Sequence, residues 1–76
     1  MAMVECVIKI SLIEDIKKFI SIVDSIDCDI DLVKGSVIVD AKSLMGVFII
    51  DISQPTKLAI HSDDENLLDK FKEWRE

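Results

Sequence analysis

The sequence predicts a single α+β domain, with three helices packed on one face of a four-stranded antiparallel sheet. The sequence contains two kinds of stretch in succession. In one kind apolar and polar residues alternate, as is typical of strands, and in the other the apolar residues recur at helical spacing. Their order is βαββαβα, which indicates an α+β domain with the helices packed on one face of an antiparallel sheet. At 76 residues the chain has room for one core, so we expect residues 1–76 to form one domain.

The first strand is predicted over about residues 4–10, where the sequence VECVIKI alternates. A helix follows, to about Ser25. Ser11 and Glu14 form a capping-box pattern, in which the Ser11 hydroxyl accepts from the Glu14 amide and the Glu14 carboxylate accepts from the Ser11 amide. The apolar residues of this helix are expected to face the core, namely Leu12, Ile13, Ile16, Phe19, Ile20 and Val23.

The middle of the chain predicts a hairpin followed by a short helix. Residues 27–32 (DCDIDL) alternate strictly as a second strand, and a turn at residues 34–36 leads into a β-branched third strand at residues 37–40. The aspartates lack the spacing and the glutamate of an EF-hand, so they indicate a solvated strand face. Residues 42–51 are mostly apolar and fit a buried strand or a helix, and Ser43 as N-cap favours the helix.

The last third predicts a strand and a final helix. Residues 57–61 alternate after the loop at Pro55. The helix opens at Ser62 with a second Ser-x-x-Glu capping pattern, and basic residues follow towards its C-terminus, where they suit the helix dipole. Its apolar stripe consists of Leu67, Leu68, Phe71 and Trp74.

Charge and composition limit the classes of partner. The net charge of -6 disfavours nucleic acid and anionic membranes, which both require a basic surface, and it favours a basic or mixed-charge protein partner. No apolar stretch approaches the roughly 20 residues of a membrane span, and the first residues do not resemble a signal peptide. We therefore expect a cytoplasmic protein.

The chain offers little for catalysis. No nucleophile-base pair or metal-ligand cluster is recognisable, so we expect no enzymatic activity, no cofactor and no metal. Cys6 and Cys28 are predicted to be buried thiols, because two cysteines without nearby ligands make a poor zinc site. His61, the single histidine, is out of phase with the core residues of its strand, so we expect an exposed side chain with no assigned site.

Residues 40–47 (DAKSLMGV) resemble the regulatory-serine motif of the HPr family, the phosphocarriers of the bacterial sugar phosphotransferase system. Residues 26–32 are similar to the second strand of that family, and residues 63–68 (DDENLL) to its last helix. The resemblance spans nearly the whole chain. It implies an open-faced β-sandwich, in agreement with the predicted order of elements.

At the phosphocarrier site the sequence differs from the pattern of the family that it resembles. The family has a histidine at the start of the first helix, followed two residues later by arginine and then by proline. Those positions hold Leu12, Glu14 and Asp15 here. Leu12 offers no nucleophile, and the two acids add negative charge where phosphate would lie. The Ser11 capping box would also occupy the helix-end amides, so we expect a degenerate site without phosphocarrier activity.

Ser43 is the residue to which the resemblance gives a role, as the target of HPr kinase/phosphorylase. A phosphate is compatible with a helix N-cap, because amides and the dipole stabilise it there. Nearby apolar residues cannot all be buried on one short helix, so some are expected to form a partner-binding patch, comprising Leu44, Met45, Val47 and Phe48.

The sequence thus favours an HPr-like regulatory or protein-binding domain. The alternative is an orphan interaction or self-associating module that has the fold but is not phosphorylated. An active phosphocarrier is disfavoured by Leu12. Contact with catabolite control protein A is also disfavoured, because the family uses the arginine whose position holds Glu14.

Overall fold

The structure is a computed structural model, and it describes residues 2–43 and 50–76. This part of the chain contains four strands, one α-helix and one 3₁₀ helix. They are β1 (Val4–Ile8), α1 (Ile13–Ser25), β2 (Ile30–Lys34), β3 (Val37–Asp40), β4 (Thr56–Ile60) and the C-terminal 3₁₀ helix (Glu65–Trp74). The predicted short helix after Ser43 falls mainly on residues 44–49, outside the described residues, so two of the three predicted helices are present in the described part.

The four strands form one antiparallel sheet in the order β1-β4-β2-β3. The predicted α+β class and the four-stranded antiparallel sheet are therefore confirmed. Because β4 lies between β1 and β2, the two strands at the edges of the sheet are β1 and β3.

One face of the sheet carries the core, and the helices pack on it. The inward strand residues Ile8, Ile30, Leu32, Leu58 and Ile60 are almost completely buried. Three aromatic rings from the helices complete this core, with centroids 5.6 Å apart for Phe19–Phe71, 6.1 Å for Phe19–Trp74 and 6.4 Å for Phe71–Trp74. The opposite face of the sheet is open and bears the Lys57–Glu5 ion pair, with 3.3 Å between the ammonium and the carboxylate.

The strand boundaries differ from the prediction because pairing partners set them. β1 ends at Ile8, where the Lys9 amide instead donates to the Trp74 carbonyl (2.9 Å) and the Ile10 amide to the Ile52 carbonyl (2.7 Å). β2 is shifted towards the C-terminus, since the residues that face β3 and β4 in register begin at Ile30. Residues 27–29 continue the alternating pattern but lie outside the register of β2 with β3 and β4.

The β2–β3 hairpin turns through two residues, Gly35 and Ser36. Gly35 has φ of 61°, whereas Ser36 has a negative φ. A positive φ at only the first central position defines a type II′ turn, and glycine is the residue that adopts it without strain.

Neither predicted capping box is formed. α1 has Leu12 as its N-cap with no side-chain hydrogen bond, so Ser11 does not cap it. At the second helix the cap is Asp64, whose Oδ1 accepts from the Asn66 amide at 3.0 Å, and Ser62 Oγ accepts from the Asp64 amide at 3.1 Å. That second helix is also a 3₁₀ helix. The 3₁₀ and α geometries share an i to i+3 apolar spacing, so the sequence pattern does not separate them.

The predicted core face of α1 is wrong at its start. Leu12 and Ile13 are 62% and 73% exposed, whereas Phe19 and Val23 are fully buried. The helix first meets the core at Ile16, which is partly buried against it. Leu12 is the extended N-cap and Ile13 the first helical residue, so both precede the turn that touches the sheet.

Both cysteines are free thiols, and they lie at different depths. Cys6 is buried on the inner face of β1, while Cys28 is half-buried at the margin of the core. Burial raises the pKa of the Cys6 thiol, and attraction to Arg75 opposes this shift. Among the described residues, no helix has the length and apolar character to cross a bilayer, and no group of three metal-ligating side chains could hold an ion.

Candidate functional site

The N-terminus of α1 is the position where the resemblance places the phosphocarrier histidine. Leu12 adopts an extended conformation (φ -101°, ψ 135°), and its carbonyl accepts from the amides of Asp15 (3.0 Å) and Ile16 (3.1 Å). Ser11, Leu12, Ile13 and Glu14 line an open recess. The surface at this point is apolar, because two large aliphatic side chains project from it.

Two carboxylates lie beside this aliphatic pair. Glu14 and Asp15 occupy the first turn of α1, where their charge favours the positive end of the helix dipole. Neither takes part in an ion pair within residues 2–43 and 50–76. A phosphate bound here would face both negative charges without a neighbouring cation from the same turn.

The expectation that a capping side chain would occupy the helix-end amides is wrong, since no side chain caps α1 within the described ranges. Phosphate at this position is therefore disfavoured by the missing histidine and by the two acids, and not by an occupied set of helix-end amides. The α1 N-terminal surface is formed by Leu12, Ile13, Glu14 and Asp15.

Ser43 lies at the end of a tight turn that follows β3. The Ser43 amide donates to the Asp40 carbonyl (3.1 Å), and the Lys42 amide donates to Asp40 Oδ1 (2.9 Å). The Lys42 ammonium donates to the carbonyl of Ile26, the C-cap of α1, at 2.5 Å. Ser43 is exposed, and the backbone turn and the lysine contact hold the chain leading to it.

The two predicted sites lie near opposite ends of α1. Lys42 contacts the C-cap of the helix, whereas Leu12 is its N-cap, and at 1.5 Å per residue the helix separates its two ends by about 20 Å. On the far side of residues 44–49, Ile52 pairs with Ile10 near the start of α1. The predicted patch residues Leu44, Met45, Val47 and Phe48 lie outside the described residues.

His61 has a carboxylate neighbour that sequence reasoning missed. Its Nε2 lies 2.8 Å from Asp31 Oδ2, and both side chains are about one-third exposed. The His61 amide also donates to the Asp29 carbonyl at 2.9 Å. The sequence prediction of an exposed side chain with no assigned site did not include this carboxylate, because the contact depends on β2 and β4 being adjacent in the sheet.

The fold defines the class of protein as a small domain with an open-faced β-sandwich. The chain is similar over its full length to a phosphocarrier protein HPr from Bacillus anthracis str. Ames, with a TM-score of 0.78, 24% identity and 100% of both chains covered. It is also similar to HPr-C-His from Thermoanaerobacter tengcongensis, with a TM-score of 0.69, 22% identity and coverage of 96% of this chain and 89% of the other.

No protein-family model matches the chain, and no curated protein sequence matches it. At these sequence identities the two structural likenesses show the fold alone. The chain has the HPr-like fold, as the sequence resemblance implied.

Proposed function

We propose that the chain is an HPr-like protein-binding domain without histidine phosphocarrier activity. The observation that carries this proposal is the exposed pair Leu12 and Ile13, which occupies the start of α1 in an HPr-like fold. No imidazole is present there to accept a phosphoryl group. When a partner covers an exposed aliphatic pair, apolar surface is removed from water, which lowers the free energy of the complex.

The charges at the α1 N-terminal surface indicate the chemistry of the partner. Glu14 and Asp15 border the aliphatic pair, and the whole chain has a net charge of -6. Complementary electrostatics therefore favour a protein partner with an apolar recess and a basic rim. Nucleic acid and anionic membranes remain disfavoured partners for the same reason.

The absence of carrier activity is tested with enzyme I and phosphoenolpyruvate. We expect no acid-labile phosphate on the chain and little recovery in Leu12→His, because Glu14 and Asp15 still face the phosphate. Leu12→His with Glu14→Arg should accept more phosphate, since the nearest acid is replaced by a cation. Phosphorylation of Leu12→His at the rate of an ordinary HPr protein would show that the acids are unimportant.

Partner binding is tested by capture from native cytosol followed by matched substitutions. A protein that binds through this surface should be lost with Ile13→Asp and retained with Val7→Asp. Val7 is also an exposed aliphatic residue (41%), and it lies within β1 instead of at the start of α1. Equal loss with both variants would contradict the assignment of the α1 N-terminal surface.

Regulation at Ser43 forms the second part of the proposal. Its exposed hydroxyl group follows a turn fixed by Asp40, which presents it to a kinase. HPr kinase/phosphorylase with ATP is expected to add one phosphate, and Ser43→Ala is expected to abolish it. Mass spectrometry with an ordinary HPr protein in the same reaction checks this outcome.

A specific observation favours the alternative of an interaction module that is not phosphorylated. The Lys42 ammonium donates to the Ile26 carbonyl, so it does not pair with the Asp40 carboxylate near Ser43. The Asp40 carboxylate accepts from the Lys42 amide within the same turn. If no phosphate is found on Ser43, while the control protein is modified, the alternative becomes the better description.

A further inference from the structure

β3 is an edge strand whose side chains are unusually apolar for that position. Val37, Ile38 and Val39 are consecutive β-branched residues, and Val37 and Ile38 are 45% and 66% exposed. Natural proteins usually protect an edge strand with lysine, proline or a bulge. Within Val37–Asp40 there is no lysine or proline, and the pairing with β2 runs residue by residue without a bulge.

The hairpin geometry fixes which backbone groups of β3 point outwards. Lys34 and Val37 close the two-residue turn, so Val37 directs its amide and carbonyl towards β2. Alternation then directs the amide and carbonyl of Ile38 and the amide of Asp40 away from the sheet. The Ala41 amide, which donates to the Ile30 carbonyl at 2.9 Å, follows the same alternation.

These outward groups form a short template for another strand. The Asp40 carbonyl is already occupied by the Ser43 amide. The two Ile38 groups and the Asp40 amide have no hydrogen-bond partner in the part of the chain that the structure describes. Three unpaired groups in a row can pair with an extended segment.

The open face beside this template carries an unbalanced pair of acids. Asp31 and Asp40 are direct cross-strand partners, an arrangement in which like charges destabilise a sheet. His61 engages Asp31 at 2.8 Å, while within residues 2–43 and 50–76 the Asp40 carboxylate accepts only from the Lys42 amide. A cation next to Asp40 would relieve the repulsion, and the net charge of -6 disfavours a second copy of the chain as its source.

We infer that the outer edge of β3 binds an extended segment of a partner protein in which apolar residues alternate with lysine or arginine. The apolar residues of that segment pack beside Val37 and Val39 on the helix side of the sheet. Its basic residues lie on the open side, where an aliphatic stem covers Ile38 and a cationic group reaches Asp40. This surface is separate from the α1 N-terminal surface.

The test uses the ¹⁵N-labelled chain and a capped heptapeptide of alternating lysine and valine, followed by NMR. We expect chemical-shift changes centred on Ile38 and Asp40, slower hydrogen exchange of those two amides, and no such changes with a glutamate-valine heptapeptide. Asp40→Asn should weaken binding by about 2- to 5-fold, the range of an exposed ion pair.

Ile38→Lys and Val7→Lys form a matched pair, because both place the same charge on an exposed aliphatic position of an edge strand. Ile38→Lys should weaken peptide binding by about fivefold or more, since like charges then lie directly opposite, and Val7→Lys should leave it unchanged. Equal weakening by both would overturn the inference in favour of general charge attraction. Shift changes centred away from β3, or changes at β3 that depend on protein concentration without peptide, would also overturn it.

Discussion

Asp51 shows how a single exposed carboxyl can be tuned by its neighbours. It follows Ile50, at the start of the second described range, and precedes the loop to β4. Ser53 donates to Asp51 Oδ1 through both its hydroxyl and its amide, the amide at 3.1 Å. The Lys34 ammonium donates to the Asp51 carbonyl at 3.1 Å. The hydroxyl contact, then the amide contact, and attraction to Lys34 lower the pKa of Asp51 below its usual value.

This lowered pKa predicts a pH dependence with a definite sign. A carboxyl with a depressed folded-state pKa contributes stability above its unfolded pKa and loses it as the pH falls through the folded pKa. Ser53→Ala removes the largest cause, so the pKa of Asp51 should rise towards its ordinary value. An NMR titration of the Asp51 carboxyl carbon measures the change.

Ser25→Ala is the control for that titration, because the Ser25 hydroxyl donates to the Ile22 carbonyl and touches no carboxylate. It should leave the Asp51 titration where it is. If Ser53→Ala also leaves it unchanged, the hydroxyl contact does not control this carboxyl.

At the scale of elements, the C-terminal 3₁₀ helix depends on its two buried rings. Phe71 is completely buried and packs beside both Phe19 and Trp74, and the helix otherwise presents mostly polar residues to solvent. A 3₁₀ helix of ten residues is long for this geometry, so tertiary packing must contribute most of its stability.

Phe71→Ala is therefore expected to lower the free energy of unfolding by about 3–5 kcal/mol, from lost burial and the cavity left behind. Trp74→Phe should cost much less. It retains a ring in the cluster and removes the Trp74 Nε1, which is buried without a partner among the described residues. Urea unfolding of both variants, compared at equal m-values, measures the difference, and an equally large loss in Trp74→Phe would contradict the expectation that a phenyl ring can replace the indole.

The same elements show which parts of the structure the sequence could predict. Period-two stretches located β1, β2 and β4, because alternation reports directly on a half-buried sheet, and the turn followed by β-branched residues located β3. The strand ends and the caps were not predictable in the same way. Ser11 and Glu14 have the right spacing for a capping box, but the helix begins after Leu12, which leaves Ser11 one residue too early to cap it.

The candidate site was also predictable only in part. The replacement of the histidine position by Leu12 can be read from the sequence once the resemblance is recognised. The exposure of Leu12 and Ile13 could not, because their spacing matches the buried stripe of α1. The contact of His61 with Asp31 required the order of the strands, which places residues 30 positions apart on neighbouring strands.

At the scale of the whole molecule, the C-terminus closes the sheet near its beginning. Arg75 forms an isolated antiparallel bridge with Ile8, and the Glu76 amide donates to the Val7 carbonyl at 2.9 Å. Together with the bond from the Lys9 amide to the Trp74 carbonyl, these contacts cover one end of the outer edge of β1. The last residues thus connect the 3₁₀ helix to the first strand.

Removal of residues 75 and 76 is expected to lower the free energy of unfolding by about 1–3 kcal/mol, the net value of the two backbone hydrogen bonds that the Arg75 and Glu76 amides donate. Glu76→Ala is the matched control, because it retains the amide and should leave stability unchanged. Urea unfolding compares the two. A loss in Glu76→Ala equal to that of the deletion would assign the effect to the side chain.

This closure also decides how the protein can be handled. The final residues run antiparallel to β1, so any sequence appended after Glu76 would continue alongside Glu5 towards Met3. An affinity tag rich in β-branched residues would pair with the outer edge of β1 and form a fifth strand. A glycine- and serine-rich spacer, or a tag placed before Ala2, leaves the sheet as the chain itself forms it.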